Sequence, residues 1–307
     1  LKLEAEPLPQ PEKAPERDGT WLVTGGLGRL GLSMAERLIE RGVSHLALIS
    51  RSAPNGAAAD RIEDWRTRGI KIQVGAVDVT DAPALSAFID TLPADWPPLT
   101  GILHAAGVLD DAVLHQQSAE RVLAVMAPKV LGGWTLHRLA ANHPIQHFML
   151  VSSASGLLGN PGQAAYGAAN SLLDALALYR HRRGLPAQSL CWSAWADASR
   201  DAALADRLAR HGLAPIETAQ GLEAMDRATT LDLPHVVILP RRSGAKLVHP
   251  LLNDSPLPAE DSRASSAVPG SSTVSRPSSW TGSARLPRPD RKHRMPIAAS
   301  SIRGSTR

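Results

Sequence analysis

The chain has 307 residues, of which 43% are apolar and 4% aromatic, and this length predicts one or two domains with a sizeable core. The net charge of +4 does not predict a nucleic-acid partner, because residues 250–307 hold nine Lys or Arg against four Asp or Glu, while the rest of the chain holds 24 against 25. Cys191 is the single cysteine, which excludes an internal disulfide.

The first segment, residues 1–19, is predicted to be a linker because it is polar and contains four prolines. It lacks the apolar stretch of a signal peptide. No apolar run in the chain approaches the roughly 20 residues that a membrane span needs. We therefore expect a cytoplasmic protein without a membrane association.

From residue 20 onward, short apolar strands alternate with amphipathic helices. Strands are predicted at 21–24, 45–50, 71–77, 99–105, 147–153, 189–195 and 235–239, with helices that include 28–41, 58–68, 82–92 and 218–229. Strands alternating with helices of this length form parallel sheets with right-handed crossovers. The prediction is a single α/β domain over residues 20–250, with a Rossmann-like, doubly wound parallel sheet of about seven strands.

The last segment, residues 251–307, has a different composition. Residues 255–307 contain 13 serines and seven prolines without apolar periodicity, and such a segment cannot offset its ordering entropy by burial. We predict a disordered tail, with a basic arm for an acidic partner as the alternative.

A glycine-rich turn, TGGLGRLG at 24–31, follows the first strand and opens the first helix. In this position a glycine turn brings backbone amides close to a pyrophosphate at a helix N-terminus, whereas an ordinary tight turn is the alternative. The expected cofactor-binding residues here are Thr24, Gly25, Gly26, Gly28, Leu30 and Gly31.

The next two strand ends refine the choice of cofactor. Arg51, followed by Ser52, replaces the carboxylate that would hold the ribose 2′-hydroxyl of NAD, and a guanidinium favours a 2′-phosphate. The prediction is therefore NADPH, unless Arg51 is only a solvated loop residue. Further contacts are expected from Asp78, Val79, His104, Ala105, Ala106 and Gly107.

Tyr166 in AAYGAAN (164–170) would act as a general acid if a hydride were added to a ketone. Asn170 lies one turn later, Lys129 lies in VMAPKVLGGWTLH (125–137), and Ser153 lies 13 residues before the tyrosine. This set resembles the ketoreductase domains of modular polyketide synthases, in the short-chain dehydrogenase/reductase superfamily. Taken singly, each residue has a structural explanation, such as a half-buried phenol or a solvated lysine.

The resemblance implies a role for each member of this tetrad. Tyr166 would donate the proton, and Ser153 would hydrogen-bond the ketone oxygen. Lys129 would lower the pKa of the phenol, and Asn170 would hold a relay water. Lys129 and Tyr166 would also contact the cofactor.

Leu109, Asp110 and Asp111 resemble the LDD signature of B-type ketoreductases, which implies a D-3-hydroxyacyl product. Leu158 stands where A-type members have tryptophan, Ala168 stands where epimerising members have proline, and Gln163 is included with the stereocontrol residues. A solvated loop is the alternative for the two aspartates.

Residues 197–216 fit the family's mobile lid. The preceding Trp192-Ser193-Ala194-Trp195 departs from the family pattern, and the usual Gly-Met pair is missing. Cys191 is expected to be a buried small residue. The 11 histidines show no ligand spacing, so no metal is predicted.

The function implied is NADPH-dependent reduction of a β-ketoacyl thioester on an acyl carrier protein. The expected partners are that carrier, with its phosphopantetheine arm, and other polyketide synthase domains. Two alternatives remain open: a stand-alone reductase of small or fatty-acyl ketones, and a redox-silent module that binds NADP(H) or a carrier. The chain could also be a fragment of a longer synthase.

Overall fold

The structure is a computed structural model that describes residues 2–7, 19–196, 202–242, 272–274 and 294–302, together with 245, 248, 249 and 251. The strands are β1 (Lys2–Pro7), β2 (Thr20–Thr24), β3 (His45–Ser50), β4 (Lys71–Ala76), β5 (Leu99–His104), β6 (His147–Ser153), β7 (Gln188–Trp192), β8 (His235–Arg242), β9 (Ser272–Val274) and β10 (Arg294–Ile302). The helices are α1 (Arg29–Glu40), α2 (Gly56–Thr67), α3 (Ala82–Asp90), α4 (Ala119–Leu139), α5 (Ser155–Leu158), α6 (Ala164–His181), α7 (Ala202–Arg210) and α8 (Thr218–Ala228).

The chain forms two compact units. One comprises Lys13–Ser189, and the other comprises Leu1–Glu12 with Leu190–Arg307. We call them the larger and the smaller unit. The boundary between them falls inside β7, within the range that the sequence predicts to be one domain.

The larger unit contains five parallel strands in the order β6-β5-β2-β3-β4. Within this sheet, β2 is the central strand. β3 and β4 follow it on one side, and β5 and β6 follow on the other side. Such a reversal leaves a crevice at the carboxyl ends of the two central strands, where open α/β sheets bind their ligands. Those ends are Thr24 and His104, which are register partners.

Helices cover both faces of these strands because the strands bury side chains on both sides. On one face, α3, α4 and α6 contribute to a single core cluster with β2, β3, β5 and β6. Its members include Leu22, Ile49, Leu85, Ile102, Leu136, Phe148, Leu150 and Leu173. The alternate strand residues, such as Trp21, Val23 and Leu48, are also buried, as are Met34 and Leu38 of α1.

All seven predicted strands are present, as β2 to β8, and the Rossmann-like α/β class is confirmed. β7 ends at Trp192, although the sequence predicts a strand to residue 195. Beyond β7, the Ala196 amide donates to the Ile216 carbonyl, and the Ile216 amide donates to the Ala194 carbonyl. The chain has therefore left the β7 strand before Trp195.

The smaller unit contains strands that the sequence analysis does not predict. β10 pairs in parallel with β8 and with β1, and β9 pairs antiparallel with β1 and β10. These three strands lie in the predicted linker (1–19) and the predicted disordered tail (251–307). Strand pairing uses backbone groups, so a segment that lacks apolar periodicity can still form strands.

Candidate active site

The glycine turn between β2 and α1 is packed so closely at Gly25 and Gly31 that neither position could accommodate a side chain. A Cβ atom at Gly25, whose φ is +64°, would lie 2.8 Å from backbone atoms of Ala105 and Ala106. A Cβ atom at Gly31 would lie 2.2 Å from the Gly25 carbonyl oxygen. α1 starts after Gly28, which has no side chain to cap the first-turn amides. The N-terminus of a helix suits a phosphate, so this turn fits the predicted cofactor.

The side chains of His104 and Thr24, two of the residues predicted to bind the cofactor, are buried and bonded to other protein groups. Both side chains are fully buried. Thr24 Oγ1 and His104 Nδ1 are 2.7 Å apart, and His104 Nε2 lies 3.3 Å from the Lys129 carbonyl oxygen. Burial, followed by the charge of Lys129, lowers the pKa of His104 to about 3. The imidazole therefore stays neutral and joins β2 and β5 to α4.

The residues predicted to select the cofactor are divided between surface and core. Arg51 and Ser52 are exposed just after β3. Asp78 accepts hydrogen bonds from the Thr80 amide (2.9 Å) and hydroxyl (2.8 Å). The Thr80 backbone bond is the main cause that lowers the pKa of Asp78, and the positive charge of Arg51 also contributes. The side chain of Val79 is buried, so it offers a ligand only its backbone.

Lys129 lies on α4, and its side chain is buried. Its Nζ donates a 2.9 Å hydrogen bond to the Val151 carbonyl oxygen and lies 5.5 Å from the centre of the Tyr166 ring. A Cβ atom at Gly107 would lie 3.1 Å from Lys129 Cε, so the glycine leaves room for the lysine stem. The buried ammonium and the phenol, 37 residues apart in sequence, are neighbours in the structure.

Tyr166 is half-buried on the first turn of α6, and Ser153 ends β6. Burial raises the pKa of Tyr166, while hydrogen bonds with the Asn170 and Ser153 side chains oppose that rise. The pKa of Tyr166 is therefore raised overall, whereas the resemblance implies that Lys129 lowers it. The physical reason is that desolvation disfavours the phenolate more than the neighbouring groups favour it.

Asn170 and Ser153 have partners that fix their orientation. Asn170 Nδ2 donates to the Tyr166 carbonyl oxygen at 2.8 Å. Asn170 Oδ1 is buried and has no hydrogen-bond partner among the described residues, so it remains available to a water molecule. Ser153 Oγ accepts bonds from the amide (3.2 Å) and hydroxyl (3.0 Å) of Ser155, which leaves its own hydrogen for another acceptor.

The three residues of the LDD segment have different environments. Leu109 is 63% exposed. Asp110 is bound by the guanidinium of Arg121, a residue that the sequence analysis missed. Asp111 Oδ2 accepts a 2.8 Å bond from Gln163 Nε2. No local pattern marks Arg121, because its partner is 11 residues away on a loop.

An open groove of about 350 Å³ lies between this loop and the beginning of α6. Ala112 and Leu114 line it from the loop, and Gln163, Gly167 and Ala168 line it from α6 and the residue before it. The groove therefore runs along the helix that carries Tyr166.

In the smaller unit, the Trp192-Ser193-Ala194-Trp195 segment is packed in the interior. Both tryptophans are buried, with ring centres 4.8 Å apart. Cys191 is buried, as predicted, with its Sγ 2.7 Å from His235 Nε2. The predicted lid (197–216) contains α7, whereas residues 197–201 lie outside the described residues. Among the helices within the described residues, none combines the length and the apolarity needed to cross a membrane.

Comparison with known proteins identifies the family. The family model of the KR domain matches residues 19–197 of this chain. Polyketide synthase GfsB of Streptomyces halstedii is 44% identical over 230 residues, which are 73% of this chain and 4% of that protein. This chain thus spans a small part of that curated relative.

Solved structures agree with this result. A structure described as an A1-type ketoreductase has a TM-score of 0.69 and 36% identity, covering 75% of this chain and 49% of that one. A C2-type ketoreductase from a modular polyketide synthase has a TM-score of 0.63 and 30% identity, covering 75% and 49%. The matched family model, the Rossmann-like fold and these relatives agree: the chain belongs to the KR domains, the ketoreductase domains of polyketide synthases, within the short-chain dehydrogenase/reductase superfamily.

Proposed function

We propose that this chain reduces a β-ketoacyl thioester to a D-3-hydroxyacyl thioester with NADPH. The thioester would be carried on the phosphopantetheine arm of an acyl carrier protein, in the cytoplasm and together with other polyketide synthase domains. Family membership supports the reduction of a β-keto group. The observation that carries the proposal is the placement of the buried Lys129 ammonium 5.5 Å from the ring centre of Tyr166.

When bound, NADPH would supply the hydride that adds to the carbonyl carbon. The Ser153 hydroxyl, whose oxygen already accepts two bonds from Ser155, would donate its hydrogen to the ketone oxygen and orient it. Tyr166 would transfer its phenolic proton to that oxygen as negative charge develops there. The carbonyl double bond then becomes one new C–H and one new O–H bond.

Lys129 and Asn170 would restore the proton on Tyr166. The Lys129 ammonium favours the phenolate once the proton has left, because an opposite charge nearby stabilises the charged form. The free Oδ1 of Asn170 would hold the water that returns a proton. The raised pKa of Tyr166 keeps the phenol protonated at neutral pH, which is the state that reduction requires.

Residues around the glycine turn would hold NADPH. Gly25, Gly26 and Gly28 would present backbone at the pyrophosphate, with Leu30 and Gly31 in the first turn of α1. Arg51 and Ser52 are exposed after β3, where they would meet the 2′-phosphate. Asp78, the Val79 backbone and the Ala105-Ala106-Gly107 segment would line the adenine and ribose side.

The D configuration is proposed from the LDD segment and from Leu158, which replaces the tryptophan of A-type members. The hydrogen bond from Gln163 to Asp111 supports a role for this segment, because it fixes one side of the groove beside α6. The solved relatives include A1-type and C2-type ketoreductases, so the configuration depends on residues and not on overall similarity. Chiral analysis of the alcohol tests it, and an L product would contradict the B-type proposal.

The reductase proposal is tested by NADPH oxidation with a β-ketoacyl N-acetylcysteamine thioester and, separately, with a cyclic ketone. We expect the thioester to be reduced and Tyr166→Phe to lose about 10²-fold or more in rate, the typical contribution of a general acid. Tyr179→Phe is the matched control, since Tyr179 is the only other tyrosine and lies on the surface of α6. Reduction of the cyclic ketone alone would favour a stand-alone reductase. Cofactor binding without turnover would favour a redox-silent module.

A further inference from the structure

The side chain of Asp110 is held by Arg121 through both of its carboxylate oxygens. Arg121 Nε donates to Asp110 Oδ2 at 2.7 Å, and Arg121 Nη2 donates to Asp110 Oδ1. Arg121 Nη1 also donates to the Gln116 carbonyl oxygen at 3.3 Å. Arg121 lies in the first turn of α4, the helix that carries Lys129. One guanidinium thus contacts two points of the loop that precedes α4.

A second set of contacts holds the same loop on its other side. Besides the bond from Gln163 to Asp111, the Ala112 amide donates to the Gly162 carbonyl oxygen at 2.9 Å. Gln117 Nε2 donates to the Ala112 carbonyl oxygen at 3.1 Å. The loop is therefore fastened to α4 by Arg121 and to the segment before α6 by Asp111 and Ala112.

The second set of contacts leads directly to the helix of the proposed acid. The Gly167 amide donates to the Gln163 carbonyl oxygen at 2.7 Å, within the first turn that also carries Tyr166. Gln163 and Ala112 both line the groove beside α6. A shift of the loop would therefore move one wall of the groove that runs along the first turns of α6.

The two aspartates differ in what they can offer a substrate. Asp110 uses a planar, two-oxygen pairing with Arg121, and the side-chain bond to Arg121 lowers the pKa of Asp110. Asp111 accepts a bond from the Gln163 side-chain amide at one carboxylate oxygen, Oδ2, and its side chain is exposed. A carboxylate that a guanidinium already binds at both oxygens has little capacity left for a ligand.

We propose that Arg121 is a positioning residue that holds residues 109–117 as one wall of the substrate groove. Asp111 and Gln163, and not Asp110, then face the entering thioester and bias its orientation. This inference rests on the proposed reductase function for its catalytic consequence, although the placement of the loop can be tested without turnover. A solvated ion pair with no influence on the loop is the competing explanation, since exposed pairs often contribute little.

The first test measures hydrogen exchange of the Ala112 amide, which reports directly on the bond to the Gly162 carbonyl. We expect Arg121→Gln and Asp110→Asn each to speed this exchange by about threefold or more, because local opening becomes easier without the pairing. The charge-swapped double variant Asp110→Arg/Arg121→Asp should restore slow exchange. Unchanged exchange in both single variants would overturn the proposal, whether or not the chain is a reductase.

Arg66→Gln is the matched control for these variants. Arg66 also combines an exposed ion pair, with Glu63 at 3.6 Å, and a bond to a backbone carbonyl, that of Ile72 at 3.4 Å. It lies on α2, away from the groove. Its loss should leave exchange at Ala112 unchanged, and a similar acceleration there would show that the effect is not specific to Arg121.

The second test uses turnover of the β-ketoacyl N-acetylcysteamine thioester. Arg121→Gln should raise KM and lower the ratio of D to L product. The value of kcat should change by less than about twofold, because the reacting groups stay in place. The charge-swapped variant should recover the product ratio. A fall in kcat with unchanged KM and product ratio would contradict a role in substrate placement. Absence of reduction in the wild type would instead refute the proposed function and leave the exchange test to decide this inference.

Discussion

Tyr166 has a raised pKa because its phenol is largely removed from water, and this raised pKa determines how the reduction rate depends on pH. Reduction requires the protonated phenol, which is present below its pKa and is lost above it. Because the folded-state pKa is raised above the ordinary value of about 10, the reduction rate should stay level through neutral pH. It should decline only on the alkaline side of that value.

The cation beside the ring makes this profile testable. Lys129→Met removes the positive charge 5.5 Å from the ring centre, which disfavours the phenolate further. We expect the alkaline decline of reduction to move to higher pH and the reverse oxidation at pH 9 to slow. The pH dependence of kcat/KM measures both, with Lys71→Met, an exposed lysine on β4, as the control. A decline that moves to lower pH would show that Lys129 does not act through its charge.

Arg51 provides the residue-level test of cofactor choice. Its guanidinium is exposed after β3 and is close enough to influence the pKa of Asp78. Arg51→Asp should weaken NADPH binding by roughly 10- to 100-fold, because it exchanges a charged hydrogen bond for repulsion, and should weaken NADH binding far less. Titration of both cofactors by fluorescence gives the two Kd values. Equal losses of affinity for NADPH and NADH would show that Arg51 does not bind the 2′-phosphate of NADPH.

The junction between β2 and α1 depends on the absence of side chains. A Cβ atom at Gly31 would lie 2.2 Å from the Gly25 carbonyl oxygen, and both are backbone-anchored positions that cannot move independently. Gly31→Ala should therefore lower the free energy of unfolding by about 1–3 kcal/mol, the usual cost of overpacking, and should also weaken NADPH binding. Urea denaturation and cofactor titration measure the two effects.

Gly28 offers a graded comparison within the same turn. A Cβ atom there would lie 3.2 Å from the same Gly25 oxygen, a contact that a small adjustment relieves. Gly28→Ala should thus destabilise the chain less than Gly31→Ala. If the two variants were equally stable, close packing of the turn would not be the reason for the glycine at position 31.

The sequence predicts those features of the fold that repeat with a regular period along the chain. The seven strands β2–β8 were identifiable because buried parallel strands are short apolar runs between amphipathic helices. The family's spacing predicts that Lys129 and Tyr166 meet, and the structure places the Lys129 ammonium 5.5 Å from the centre of the Tyr166 ring although the two residues lie on separate helices, α4 and α6.

Features that depend on distant side-chain partners could not be predicted in the same way. The ion pair between Arg121 and Asp110 and the buried bond between His104 and Thr24 leave no periodic pattern in the sequence. The sequence predicts that His104 binds the cofactor, and it does not reveal the contacts that join its buried ring to β2 and α4. The direction of the Tyr166 pKa also depends on burial, which the sequence of a single helix does not reveal.

The most direct measurement of the central claim follows the hydride and the configuration together. The chain is incubated with NADPH deuterated at C4 and a β-ketoacyl thioester, and the product is analysed by mass spectrometry and chiral chromatography. We predict deuterium at C3 of a D-3-hydroxyacyl thioester, formed by the wild type and by Tyr179→Phe but barely by Tyr166→Phe. A labelled product formed equally fast by Tyr166→Phe, or no labelled alcohol from the wild type, would contradict this account.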